Sequence, residues 1–157
     1  MPAQRLKKFL DENGVPYVSI AHSAAYTAQE VAESAHVPGK DLAKTVIVKI
    51  DGSLAMAVLP ASYTIDLERL AGAIGASKVE LASEREFRGE FPDAELGAMP
   101  PFGNLYDMDV FVAEVLTRDD DIAFNAGTHR ELLRMKYKDF EKLVKPRVVR
   151  MSSAYDG

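Results

Sequence analysis

Two apolar, β-branched runs meet across a two-residue turn: Lys44 to Ile50 and Ser53 to Leu59 flank Asp51-Gly52. Asp-Gly between such runs is a strong local hairpin signal, because both residues tolerate the positive φ angles of a type I′ turn. The Val and Ile content suits strands buried on both faces. Such a hairpin has to sit inside a fold, with other elements covering each side. The 157 residues suffice for one core of this kind and are too few for two, so a single domain over 1–157 is expected. That core has no covalent staple. There are no cysteines, which also excludes thiolate zinc sites and cysteine nucleophiles.

Around the hairpin, helix and strand signals follow in irregular order. Leu6, Phe9 and Leu10 share one face of an opening helix that Gly14 ends, and Val15 to Ile20 reads as a short strand. Thr27 and Glu30 make a capping box ahead of a helix with Val31, Ala32 and Ala35 inward. Asp66 caps a helix that turns Leu67, Leu70, Ala71 and Ile74 inward and closes at Gly75. Lys78 to Leu81 is a short strand, and Ser83 with Glu86 forms a second capping box. Further strands are expected over 110–115, 122–125 and 131–135, before a helix from about Lys138 to Val144. Strands and short helices without βα alternation predict an α+β fold around a mixed, mostly antiparallel sheet. No apolar run approaches the roughly 18 residues of a membrane helix, and the first residues lack a signal peptide's apolar stretch. A soluble, cytoplasmic protein without a membrane partner is the expectation.

Familiar catalytic patterns are missing. Gly39-Lys40-Asp41 lacks the rest of a phosphate loop, and no Gly-x-Ser-x-Gly elbow occurs. His22, His36 and His129 are too scattered for a metal pattern, so neither metal nor cofactor is expected. Three places remain. Lys44 heads the Lys44, Val46, Val48 face of its strand, where a lysine either snorkels to solvent or lines a polar pocket. The segment Gly97-Ala98-Met99-Pro100-Pro101-Phe102-Gly103 lies in a long irregular stretch from Gly89 to Asp107, and unstructured loops of that length inside a domain are uncommon. It is either a plain Pro-Gly turn or a loop whose backbone N–H groups hold a carbonyl or oxyanion. Asn125-Ala126-Gly127-Thr128-His129 is a polar turn whose histidine can bind, relay a proton or cap the backbone.

In this order the pieces resemble the YbaK-type family, the prolyl-tRNA synthetase-associated editing domain. The resemblance runs from His22 to about Val144. It is carried by His22 with Thr27 and Glu30, Lys44-Thr45, the Asp51-Gly52 hairpin, Val58-Leu59-Pro60, the Gly97 to Gly103 loop, Phe124-Asn125-Ala126-Gly127 and Asp139-Phe140. It implies a curved sheet with short helices around it, and trans-editing: hydrolysis of the ester joining a wrong, small amino acid to the 3′-terminal adenosine of tRNA(Pro) or a related tRNA. It places Lys44 and Gly97 at the catalytic positions, with the substrate's own ribose hydroxyl assisting water. His22, Tyr26, Thr27, Pro101, Phe102, Gly103, Gly127, Thr128 and His129 become the substrate-binding set. Where members carry an aspartate in the last strand, this chain has Leu132. Aminoacyl-tRNA, and a synthetase beside it, are the implied partners. The alternative within the same fold is a non-catalytic module that binds tRNA ends or nucleotides.

Charge adds one further expectation. The net charge of −5 argues against a strongly basic nucleic-acid binder, and no DNA partner is expected, but between Arg130 and Arg150 eight basic residues face three acidic ones. That stretch is either a solvated surface or a positive face on an acidic body. Helical spacing puts Lys138, Lys142 and Lys145 on one side of the last helix, away from Phe140 and Val144. With a tRNA substrate, that side is expected to meet the acceptor stem.

Overall fold

The structure, a computed structural model, describes residues 4–21 and 39–152. Its strands are β1 (Val18–Ala21), β2 (Ala43–Ile50), β3 (Ser53–Pro60), β4 (Val79–Leu81), β5 (Asp109–Ala113), β6 (Asp121–Asn125), β7 (Glu131–Lys136) and β8 (Arg147–Val149). The expected hairpin is β2 and β3, paired from Ala43 opposite Pro60 to Ile50 opposite Ser53. Its turn residues have φ of 48° at Asp51 and 92° at Gly52, the two left-handed positions that a tight turn between twisted strands requires. The Asp51 carboxylate does a second job. It accepts from the backbone N–H of Lys78 at 2.8 Å and of Ser77 at 3.3 Å, which delivers β4 to the free edge of β2.

The mixed, mostly antiparallel character is as expected, but the strands divide into two sheets. One has the order β4-β2-β3-β5-β8, the other β1-β7-β6. The β3–β5 and β5–β8 pairs are parallel, and the remaining pairs are antiparallel. One backbone bridge among the described residues joins the sheets, Leu42 to Ala123, and it is parallel. Val115, expected in a strand, sits instead in a 3-10 turn over Glu114–Arg118, and Val15 lies ahead of β1.

Both faces of the hairpin are covered. Ala43, Ile47, Met56 and Val58 join Ile122, Phe124, Leu133 and Met135 in a core between the two sheets, closed by Leu6 and Leu10 of the helix Gln4–Glu12 and by Phe140 of the helix Tyr137–Val144. On the far face, Val48, Ala55, Ala57 and Leu59 pack with Leu70, Phe111, Val149 and Met151. Leu70 belongs to the helix Leu67–Ile74, whose cap is as expected: the Asp66 carboxylate accepts from Arg69 N–H at 3.0 Å, and Gly75 closes it at φ 72°. The chain's last described residues lock this helix from outside, since Met151 O accepts from Asp66 N–H and Ser152 O from Arg69 Nη1.

The long irregular stretch is anchored. Phe91 is buried, and the Tyr106 ring packs against it at a tilt of 52° with centroids 4.6 Å apart. The Tyr106 hydroxyl donates to Asp93 at 3.0 Å; burial, aided by that carboxylate, pushes its pKa up. Phe102 reaches the centre of the main core, with ring centroids 5.5 Å from both Phe124 and Phe140. Gly103 is buried directly behind it. A Cβ there would lie 2.3 Å from Met108 O and 2.6 Å from Val110 Cγ2. Gly103→Ala should therefore destabilise the protein by about 1–3 kcal/mol, as overpacking does. Chemical denaturation checks this: an unchanged midpoint would mean that the 103–108 turn yields freely.

Candidate active site

The site is built where the Gly97 turn meets the turn between β6 and β7. Four hydrogen bonds tie the two segments together. Glu95 N–H donates to Gly127 O at 2.8 Å, and Gly127 N–H donates to Ala98 O at 2.9 Å. His129 N–H donates to the Glu95 carboxylate at 2.7 Å, and His129 Nε2 donates to Leu96 O at 2.9 Å. Since Leu96 O can only accept, this last contact places a proton on His129 Nε2. The Glu95 carboxyl is held below its ordinary value by the His129 backbone N–H, helped by the Thr128 hydroxyl.

Gly97 sits over the imidazole at φ 85°, a conformation that side chains rarely adopt. A Cβ there would come within 3.3 Å of His129 Cε1, a tight contact that adds to the strain of the positive φ. Its N–H points to the Met99 thioether sulfur at 3.1 Å. Sulfur is a weak acceptor, so this N–H is readily surrendered to a better one.

Lys44 is the second residue of β2, half-buried, opposite Leu59 and on the Val46–Val48 side of the strand as alternation predicts. Its position relative to the turns is set just upstream. Leu42 bridges Ala123, and because that bridge is parallel, Lys44 on β2 and Asn125 on β6 each lie two residues further in the same direction. An ion cluster fastens the crossing. Arg134, cross-strand from Ala123, reaches Asp121 at 3.0 Å and the buried Asp41 at 3.5 Å. Burial pushes the Asp41 carboxyl up, and Arg134 pulls it back down.

The structure brings together Gly97, Gly127, Thr128 and His129. Pro101, Phe102 and Gly103, expected to touch a ligand, are buried behind the turn, where Phe102 belongs to the core. Their contribution is support. His22, Tyr26 and Thr27 lie outside the described residues. Lys138, Lys142 and Lys145 are exposed on the last helix and its cap. Among the described residues, no group of three or more His, Asp or Glu could hold a metal ion, and no helix is long and apolar enough to cross a membrane. Glu95 and Arg134 were not singled out from sequence; a lone glutamate in a loop and a basic residue in a strand carry no local signature.

The bracket made by Glu95 can be tested directly. Glu95→Gln keeps an oxygen acceptor and should leave the His129 amide protected from hydrogen exchange, whereas Glu95→Ala should expose it. Because the folded carboxyl titrates below its ordinary value of 4.5, the contact is at full strength above that pH and is lost as pH falls through the lowered value. Following the His129 amide by NMR across an acid titration checks the sign. A weakening on raising the pH from 5 to 7 would contradict it.

Residues 22–143 match the aminoacyl-tRNA editing domain family. The chain is similar to the multifunctional Ser/Thr-tRNA deacylase ProXp-y of Escherichia coli strain K12, 31% identical over 152 residues, covering 93% of this chain and 90% of the relative. It is also similar to the prolyl-tRNA editing protein ProX of Acetoanaerobium sticklandii, 27% identical over 143 residues, with 87% and 86% covered. Among solved structures, a candidate trans-editing enzyme for prolyl tRNA synthetase superposes with a TM-score of 0.82 at 20% identity over 97% of both chains. That likeness concerns the fold. The family match and the ProXp-y relative place the sequence: this chain belongs to the aminoacyl-tRNA editing domain family.

Proposed function

We propose that this member of the aminoacyl-tRNA editing family hydrolyses the ester of a small, wrongly attached amino acid at the 3′ end of a tRNA, with Lys44 and Gly97 at the reacting centre. The observation that carries this reading is the Gly97 turn, whose backbone N–H is held by sulfur and which lies against the His129 ring. An ester carbonyl oxygen is a far better acceptor than a thioether. As water adds to the carbonyl carbon, the developing oxyanion keeps the Gly97 N–H, and the Lys44 ammonium adds positive charge. The bond to the ribose oxygen then breaks, and that oxygen leaves with a proton passed on by the neighbouring ribose hydroxyl. The products are a free amino acid and an uncharged tRNA end. An aminoacyl ester is already labile, so positioning and polarisation suffice without a covalent nucleophile.

Small substrates agree with the name of one relative, a Ser/Thr-tRNA deacylase, and ester removal from tRNA with that of the other, a prolyl-tRNA editing protein. They also agree with what a second hydrolytic sieve is for: a binding pocket separates side chains differing by one methylene by only about 10–200-fold. Acting on charged tRNA, the protein works in the cytoplasm as one editing unit. Lys138, Lys142 and Lys145 offer exposed positive charge to the acceptor stem.

A deacylation panel of Ala, Ser, Thr, Cys and Pro esters on matched tRNAs tests the activity. Lys44→Ala should lower turnover by about 100-fold or more with the fold intact. Lys44→Arg should fail as well, since a planar fork does not replace a compact ammonium. Full activity in Lys44→Ala removes the lysine from the reaction. Gly97→Ala should lose most activity through backbone strain at its positive φ and crowding against His129, and circular dichroism distinguishes this from unfolding. Binding of aminoacyl-tRNA without hydrolysis would instead make the protein a tRNA-end module.

Replacing Lys138, Lys142 and Lys145 together by Gln should weaken tRNA binding and reduce the salt slope of log affinity by about one unit per lost phosphate contact. Cleavage of an aminoacyl-adenosine mimic, which has no stem, should hardly change. An unaltered salt slope would leave these lysines as ordinary solvated residues.

A further inference from the structure

One buried polar atom beside this site lacks a hydrogen-bond partner. Asn125 closes β6, two residues before Gly127, and its Oδ1 is buried without a hydrogen bond among the described residues. The neighbours explain why. Asn125 stands opposite Leu132, and Leu132 stands opposite Ile20 on β1, so the cross-strand row offers it no polar side chain. A buried carbonyl oxygen left unpaired carries its full desolvation penalty, and such atoms in native proteins call for an explanation, a bound ligand among them. Strand alternation puts Asn125 on the Ala123 face of β6, opposite to the core residues Ile122 and Phe124. Ala123 is where Leu42 crosses, so this is the face along which β2 carries Lys44.

The chemistry of the missing donor follows from what the site already has. Lys44 and the Gly97 N–H are donors and suit the oxygens of an aminoacyl ester. The ester's own strong donor is its α-ammonium, present whatever the side chain. The Glu95 carboxylate is occupied by the His129 N–H. We infer that Asn125 Oδ1 receives the substrate's α-ammonium, and so restricts the site to esters of amino acids with a free amine. This rests on the deacylase reading of the same site.

The test measures binding, which keeps the two ideas separable. The probes are 3′-alanylamino-3′-deoxyadenosine, a non-hydrolysable amide, and its N-acetyl derivative, titrated calorimetrically. The wild-type protein should bind the free amine about 10-fold or more tightly than the acetylated form, the value of a hydrogen bond to a charged group. Asn125→Leu, which matches its apolar neighbours in size, should bring the ratio close to one, and Asn125→Asp should widen it. A ratio unchanged in folded Asn125→Leu overturns the inference, as does loss of discrimination in His129→Ala alone, which would hand the ammonium to Nδ1. Discrimination by a wild-type protein that hydrolyses no aminoacyl-tRNA would sink the deacylase reading while supporting Asn125. Hydrolysis with equal binding of both probes would do the reverse.

Discussion

The crossing of Leu42 over Ala123 sets the geometry of both halves of the site. Upstream of it lies the buried Asp41; downstream, two residues along each strand, come Lys44 and Asn125. A single parallel bridge is a weak mechanical joint, and Arg134 reinforces it by holding Asp41 and Asp121 at once. Removing that guanidinium would leave the Asp41 carboxylate buried with only the weaker pull of Lys40 to offset it, which costs more than the pair contributes when intact. The ion cluster is therefore better understood as fixing register than as adding stability. A slip at this point would move a lysine on one sheet relative to a histidine turn on the other.

What was readable in the sequence is what local chemistry decides. Asp51-Gly52 specifies its own φ angles, Asp66 and Ser83 each cap a helix within three residues, and the Val and Ile alternation of β2 and β3 announces two buried faces. The division into two sheets was not readable, because the parallel pairs β3–β5 and β5–β8 join segments far apart in sequence. β8 is three residues behind a proline, too short for periodicity to report. In the site, Gly97 and His129 are visible as glycine and histidine in polar turns, but the two turns are tied together by Glu95, thirty-four residues from the amide it holds. The Pro101-Phe102-Gly103 triplet looked like a ligand loop because Pro and Gly mark turns. Its aromatic residue is instead what nails that turn to the core.

The basic stretch near the C-terminal end shows how a charge count divides once the chain is folded. Arg134 is spent on the crossing, Arg150 pairs with Glu114 at 2.8 Å, and Arg147 reaches the Ala73 carbonyl at 3.5 Å. Glu114 is shared with Arg118 and its carboxyl is held low by both guanidiniums, Arg150 first. The arginines of the segment thus serve largely as internal fasteners. The lysines of the last helix remain at the surface, which suits the different habits of the two side chains: a rigid fork for fixed geometry, a mobile point charge for a polyanion.

The clasp of Met151 and Ser152 on the Leu67–Ile74 helix has a consequence for how the protein comes off the ribosome. The contact from Arg69 to Ser152 spans 83 residues, and β8 completes its sheet from the same end of the chain. Until residues 147–152 emerge, the outer edge of β5 has no neighbour and the helix over the far face of the hairpin is unlatched. Unpaired strand edges above a wet apolar face are what make nascent intermediates stick to one another. Pairings over such separations also form slowly once the chain is free, because loop closure must precede any gain from contact. Vectorial synthesis therefore leaves the most hydrophobic hairpin of this chain waiting on its last strand, and the interval before that strand arrives is when the protein depends most on protection from its neighbours.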